Sequence, residues 1–279
     1  MDTIDFLFGV FLSQIILVSY YFPKILVERT ENAIEQHPPS EYANLYPVSV
    51  ETIKKQILKY RNANFLMMIL GIFIFVFSIA IGADELLGWD SQSVSSFYFM
   101  LQMAPLIWVA IISTNYAKLL RKLNQGPSRK AQLSPRKLTD FIGKNYLYAL
   151  AIGHITYIVL IWYLVQHPFD GFAGYINLLG LAIIDLILAG GIYYYVYFQK
   201  PDPLQPEQVR IRDTRRTVYL FVLSGMAVLI KLSVDLILSA LDMRDYQDIV
   251  SCIYFQLIVA SIVYYYRLSE IDFEVYRKG

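Results

Sequence analysis

The sequence predicts an all-α integral membrane protein of seven transmembrane helices, with its N-terminus outside and its C-terminus cytoplasmic. Three observations carry that fold class. Seven apolar stretches are each long enough to cross a bilayer, and the basic residues between them fall almost wholly on one side. The composition is 56% hydrophobic and only 17% charged, whereas a soluble domain carries about 25% charge.

A helix needs about 20 mainly apolar residues to cross the hydrocarbon core. The stretches cover residues 4–22, 63–83, 97–117, 146–165, 174–198, 218–241 and 249–266. Barrel strands are shorter and alternate polar with apolar residues; these runs are apolar on every face. We expect one seven-helix domain over residues 1–279, because no segment outside the spans is long or apolar enough to fold alone.

Orientation follows from the basic residues of short loops. The loops after spans 1, 3 and 5, together with the C-terminal tail, hold 22 of the 24 Lys and Arg. Arg244 is the one base on the opposite side, and Lys231 lies within span 6. Aromatic belts agree: Tyr20-Tyr21-Phe22, Tyr193-Tyr194-Tyr195 with Tyr197-Phe198, and Tyr264-Tyr265-Tyr266 end spans 1, 5 and 7 on the basic side. Amphipathic rings favour the headgroup level.

Residues 23–62 form the longest cytoplasmic loop. Pro23 is expected to end or kink span 1, with a charged helix over residues 25–36 that His37-Pro38-Pro39 breaks. Ser49 reads as an N-cap for an interfacial amphipathic helix at about 50–62. In it Val50, Ile53, Ile57 and Leu58 share one face, with Lys54, Lys55 and Lys59 on the rest. Gly126-Pro127 stops the extension of span 3, and Ser134-Pro135 opens the helix that becomes span 4. Pro201, Pro203 and Pro206 make the third inner loop extended.

Composition excludes several classes. The net charge of +1 conceals a segregation that reads as positive-inside signal, so no nucleic-acid partner is expected; membrane lipid is. The lone Cys252 forbids an intrachain disulfide. The N-terminus lacks the basic n-region of a signal peptide, so span 1 is expected to be retained. His37, His154 and His167 have no ligand-like partners at helical spacing, so neither a multi-histidine zinc site nor an H-E-x-x-H protease is expected. No cofactor, metal or catalytic motif is expected. The setting is a cell membrane, plasma or bacterial inner, and a homo-oligomer is compatible with it.

The candidate site lies inside the spans. Asp185 is central in span 5, and Lys231 and Asp235 lie four apart on one face of span 6. At about 1.5 Å rise per residue, Asp185 and Lys231 lie about 16 Å and about 15 Å below the outer ends of their helices. An Asp185–Lys231 pair is therefore open by depth. Each such charge costs roughly 2.5–3.5 kcal/mol when central and unpaired, so all three are expected to face the bundle interior. Gln14, Gln102, His154, Asn177 and Gln256 lie at compatible depths. Along span 6, Ser224, Lys231, Asp235, Ser239 and Asp242 form a polar stripe suited to a water-filled cavity open to the outside. Pro105 is expected to kink span 3, and Gly190-Gly191 to permit close packing in span 5.

Two families with membrane-embedded charges do not fit. Retinal proteins carry their lysine on the last helix, with an acid before it; here Lys231 is on the sixth and Asp235 follows. The sequence Gly180-Leu181-Ala182-Ile183-Ile184-Asp185 does not reproduce the G-x-G-D of intramembrane aspartyl proteases. A small transporter or channel that handles an ion or proton at Asp185, Lys231 and Asp235 is the leading expectation. A non-transporting sensor, scaffold or assembly factor docking a partner at its basic loops is second, and an intramembrane enzyme acting on lipid or peptide third. Glutamines and serines within spans also serve as plain interhelical partners, worth about 0.6 kcal/mol each, and an Asp–Lys pair can simply fix register.

Overall fold

The computed structural model describes residues 3–82, 85–89, 91–124, 137–198, 202, 204–268 and 271–277. Among these the chain is all-helical, without strands, and seven helical runs are long and apolar enough to cross a membrane. The first run is α1 (Thr3–Ile16), a π-helical turn (Leu17–Tyr21) and α2 (Phe22–Gln36). Then come α3 (Val50–Ala80), α4 (Ser91–Leu123), α5 (Lys144–Gln166) and α6 (Ile176–Tyr193), which a second π-helical turn (Tyr194–Phe198) prolongs. The last two are α7 (Glu207–Ala240) and α8 (Asp245–Leu268). Large apolar side chains stay exposed along these helices, among them Leu66, Ile111, Ile152, Leu186, Ile230 and Leu257. A soluble monomer rarely exposes that much contiguous apolar surface.

Several helices run past the apolar stretches that announce them. The residues at those ends (Glu, Lys, Arg, Gln, Leu) are good helix formers, so the ladder continues. Residues 50–62, read as an interfacial helix leading into span 2, are the first turns of α3. Ser49 caps them as expected, its Oγ accepting from the Thr52 N–H at 3.3 Å. Pro23 does not end the first run. It lies in the first turn of α2, where a missing N–H is tolerated, and the π turn just before it reroutes the hydrogen bonds. The helix ends instead at His37, ahead of Pro38 and Pro39, because a residue before proline leaves the α region. α4 continues through Pro105. Asp84, Asp90, Gly126-Pro127, Arg129, Lys130, Ser134-Pro135, Arg136, Lys200, Pro201, Pro203 and Lys278 lie outside the described residues.

The chain divides into two compact units. One comprises Met1–Lys130, Pro201–Val209 and Asp248–Gly279, the other Ala131–Lys200 and Arg210–Gln247.

In the first unit, Phe11, Ile15, Ile74, Tyr98 and Cys252 pack together with Leu86, which is fully buried. Leu86 pins the connection after α3. Its N–H donates to Ser91 Oγ at 3.0 Å, and the next N–H, of Leu87, donates to Ser78 Oγ at 2.8 Å. Gly71 is required where α3 meets α4: a Cβ there would stand 2.2 Å from the Tyr98 hydroxyl and 2.7 Å from Ile15. The tail over residues 271–277 docks on the same unit. Phe273 stacks on His37 at 4.0 Å, the Tyr42 hydroxyl donates to Glu274 at 2.9 Å, and Tyr276 is buried with its hydroxyl donating to Asp202 at 2.5 Å. Burial and the Asp202 carboxylate hold the Tyr276 hydroxyl above its ordinary range of ionisation.

In the second unit, α5, α6 and α7 enclose two clusters. Phe141, Ile142, Val196, Val218 and Val222 form one, and Tyr157, Ile161, Leu181 and Leu229 the other. Gly191 admits the Phe221 ring, whose nearest atom would lie 2.6 Å from an added Cβ, whereas Gly190 has nothing within 4 Å. Close packing thus rests on one glycine of the pair.

Candidate functional site

The polar residues singled out within the spans sort into two groups, one in each unit. In the first unit Gln14 of α1 is fully buried, and its Nε2 donates to Gln102 Oε1 on α4 at 2.9 Å. Gln102 Nε2 donates to Ser19 Oγ at 2.8 Å, and Tyr98 donates its hydroxyl to the Met67 carbonyl at 2.9 Å. Ser19 and Tyr98 meet at 3.5 Å. Four elements are thus joined by side-chain hydrogen bonds inside an apolar core, an arrangement that fixes register. Gln256 of α8 donates to the Val10 carbonyl and to Ser13 Oγ, at 3.1 and 3.0 Å. These glutamines turn inward as expected, but their partners are one another, serine hydroxyls and the backbone.

The ionisable groups gather in the second unit. Asp185 does not meet Lys231, although their depths match. Its Oδ2 lies 2.9 Å from His154 Nε2 on α5, and Lys231 pairs with Asp235 one turn along its own helix. Depth follows from the rise of a helix, but its rotation decides which neighbour is faced. A lysine four residues before an aspartate finds it without crossing a gap.

The His154 ring has oxygens at both nitrogens. Nδ1 lies 2.8 Å from the Leu150 carbonyl, which can only accept, so Nδ1 carries a hydrogen. Nε2 faces a carboxylate oxygen, and that contact also needs a hydrogen. Either His154 is an imidazolium beside a carboxylate, or a neutral imidazole accepts from a protonated Asp185. The side chains are 27% and 36% exposed.

Asp235 is more enclosed. Lys231 contacts its Oδ2, while Oδ1 is buried and has no hydrogen-bond partner among the described residues. Such an orphan acceptor costs about 1–3 kcal/mol. Tyr157, one turn along α5 from His154, lies within electrostatic reach of Asp235. Gln247, in the first turn of α8, donates through Nε2 to the Asp235 carbonyl and to Ser239 Oγ, both at 2.5 Å. Gln247 therefore covers the outer part of the stripe expected to line an open cavity. Asp242 ends α7 instead of continuing that stripe. It adopts a left-handed φ of 58°, and the Met243 N–H returns to the Leu238 carbonyl at 2.8 Å, closing the helix as a Schellman turn does. Asn177 turns back to donate to the Gly174 carbonyl at 2.9 Å and takes no part in the site.

Ser19, Tyr98, Tyr157 and Gln247 are the members that sequence reasoning missed. The tyrosines are two among 23, Ser19 sits in a π turn that no local signal announces, and Gln247 belongs to a different helix from the residues it caps. No family model, no curated protein and no solved structure matches this chain.

Proposed function

We propose that the chain is a multi-pass protein of a cell membrane, plasma or bacterial inner, that handles a proton or small cation as a small transporter or channel. The bias of 22 bases among 24 supports an N-terminus outside and a C-terminus in the cytoplasm.

The observation that carries the reading is the 2.9 Å contact between His154 Nε2 and Asp185 Oδ2 on two apolar helices. Ionisable groups at such depth are costly and mark ion and proton pathways by default. The same unit also offers an unpartnered carboxylate oxygen, Oδ1 of Asp235, as an acceptor for a proton. Uptake there neutralises the carboxylate, weakens its hold on Lys231, and so couples binding to a change in α7. A small cation at Oδ1 would act on the same pair. Flux driven by a proton or alkali-cation gradient in proteoliposomes tests this. Flux above empty vesicles that Asp185→Asn or Asp235→Asn lowers is expected. No flux, or flux that both substitutions leave unchanged, overturns the reading.

One observation favours the sensor or scaffold reading: the Lys231–Asp235 pair is closed within a single helix and covered by Gln247. On that reading the pairs fix register, and the basic loops dock the partner.

A further inference from the structure

The charged ends of α2 and α3 form a groove that the ionisable pairs leave unused. Its α2 wall presents Glu31, Ile34 and Glu35, and its α3 wall presents Lys54, Ile57, Leu58 and Arg61. Those spacings are i, i+3, i+4 on one helix and i, i+3, i+4, i+7 on the other, so each wall is a single helix face. The groove measures about 390 Å³, within the range of small-ligand sites.

Its charges are sorted by wall: two carboxylates on α2, two cations on α3, and isoleucine and leucine between them. Opposite charges facing across a groove ordinarily close on each other. Here, among the described residues, no ion pair or hydrogen bond joins the two walls; Lys24–Glu28 on α2 is the ion pair nearby. The level is also informative. Directly after Arg61 and Asn62 the sequence of α3 becomes almost continuously apolar, so Arg61 stands where a spanning helix leaves the hydrocarbon for the headgroup layer.

We propose that this groove binds the headgroup of a phosphoethanolamine lipid. A zwitterion with an anionic phosphate and a primary ammonium matches the two walls one charge type to each. Lys54 and Arg61 donate to the phosphate oxygens, and the ammonium donates to Glu31 and Glu35, all as charge-assisted hydrogen bonds. The glycerol and the first acyl methylenes lie on Ile57 and Leu58. A choline headgroup carries the same charges but has no N–H to donate to the carboxylates. A glycerol headgroup supplies no cation and leaves its phosphate charge facing two acids. The site is separate from the ionisable pairs and stands or falls without them.

Native mass spectrometry of the full chain, delipidated in detergent and offered phosphatidylethanolamine, phosphatidylcholine and phosphatidylglycerol of identical acyl chains, tests the assignment. Retention of the ethanolamine lipid is expected to exceed that of each competitor about fivefold or more. Glu31→Gln with Glu35→Gln should bring it down to the choline level, and Lys54→Gln with Arg61→Gln should lower it about tenfold. All four side chains are exposed, so the variants should melt with the parent by circular dichroism. Equal retention of the three lipids, a preference for phosphatidylglycerol, an ethanolamine preference that survives Glu31→Gln with Glu35→Gln, or retention that Lys54→Gln with Arg61→Gln leaves unchanged would overturn it.

Discussion

Replacing Lys231 by methionine tests the Lys231–Asp235 assignment through stability. Asp235 Oδ1 already lacks a donor, and the substitution takes the remaining one from Oδ2. An unpaired charge at the centre of a span costs roughly 2.5–3.5 kcal/mol, and removing one partner of a buried pair costs about 3–5 kcal/mol. The two side chains keep 18% and 15% exposure, and a stranded carboxylate escapes part of the cost by taking up a proton. The expected loss is therefore about 2–3 kcal/mol. Asp235→Asn strands the ammonium instead but keeps an acceptor, for about 1–2 kcal/mol. The double variant leaves no charge, and Gln247 keeps its bond to the backbone carbonyl of residue 235. Its loss should be about 1 kcal/mol, giving a coupling of about 2 kcal/mol or more. Reversible unfolding in mixed micelles, followed by far-ultraviolet circular dichroism, measures all four corners. Lys231→Met combined with Asp185→Asn is the control, and its losses should add because Asp185 faces His154. Additive losses at Lys231 and Asp235, or coupling between Lys231 and Asp185, would refute the assignment.

Gly71→Ala should destabilise by about 1–3 kcal/mol, the usual cost of overpacking, because Tyr98 and Ile15 occupy the space; Gly190→Ala, which meets nothing, should be neutral or mildly stabilising in the same micelle unfolding. The Tyr276 hydroxyl is held protonated in the folded chain, so its contribution is intact below the unfolded tyrosine value of about 10 and is lost as pH rises above it. Tyr276→Phe should remove that alkaline limb of tail docking, measured by proteolysis of the C-terminus against pH, at a cost of about 1.5–3 kcal/mol for a hydrogen bond to a charged acceptor. For orientation, Cys252 is fully buried and leaves a quiet background: Glu85→Cys should react with a membrane-impermeant thiol reagent in intact cells and Lys122→Cys should not, the reverse pattern inverting the topology.

Much of the fold was legible because hydrocarbon imposes long apolar runs, and those runs placed all seven helices. The extent of their polar extensions was less so: residues 50–62 read as leading into span 2, nothing in them breaks a helix, and Ser49 caps the whole of α3. The π turn before Pro23 had no signal of its own. Within the candidate site, residue identity was legible and partnership was not. Asp185, His154, Lys231 and Asp235 all stand out as polar groups in apolar runs, but sequence yields depth without rotation, so the pairing of Asp185 with His154 had to come from the geometry. Gln247 and Asp242 failed for another reason. Both act at a helix end, one by capping a neighbouring helix and one by accepting a left-handed φ, and a stripe drawn at helical spacing cannot register where the helix stops.

If His154, Asp185 and Asp235 move a proton or small cation, the reconstituted protein carries flux. Proteoliposomes carrying a pH-sensitive dye, under imposed proton and alkali-cation gradients, should show flux above empty vesicles. Asp185→Asn and Asp235→Asn should each lower it at least about tenfold, about 1.4 kcal/mol on the rate-limiting step, while the circular dichroism spectrum is kept. No flux under any gradient, or flux that both substitutions leave unchanged, would contradict the account and move the pairs to a purely structural role.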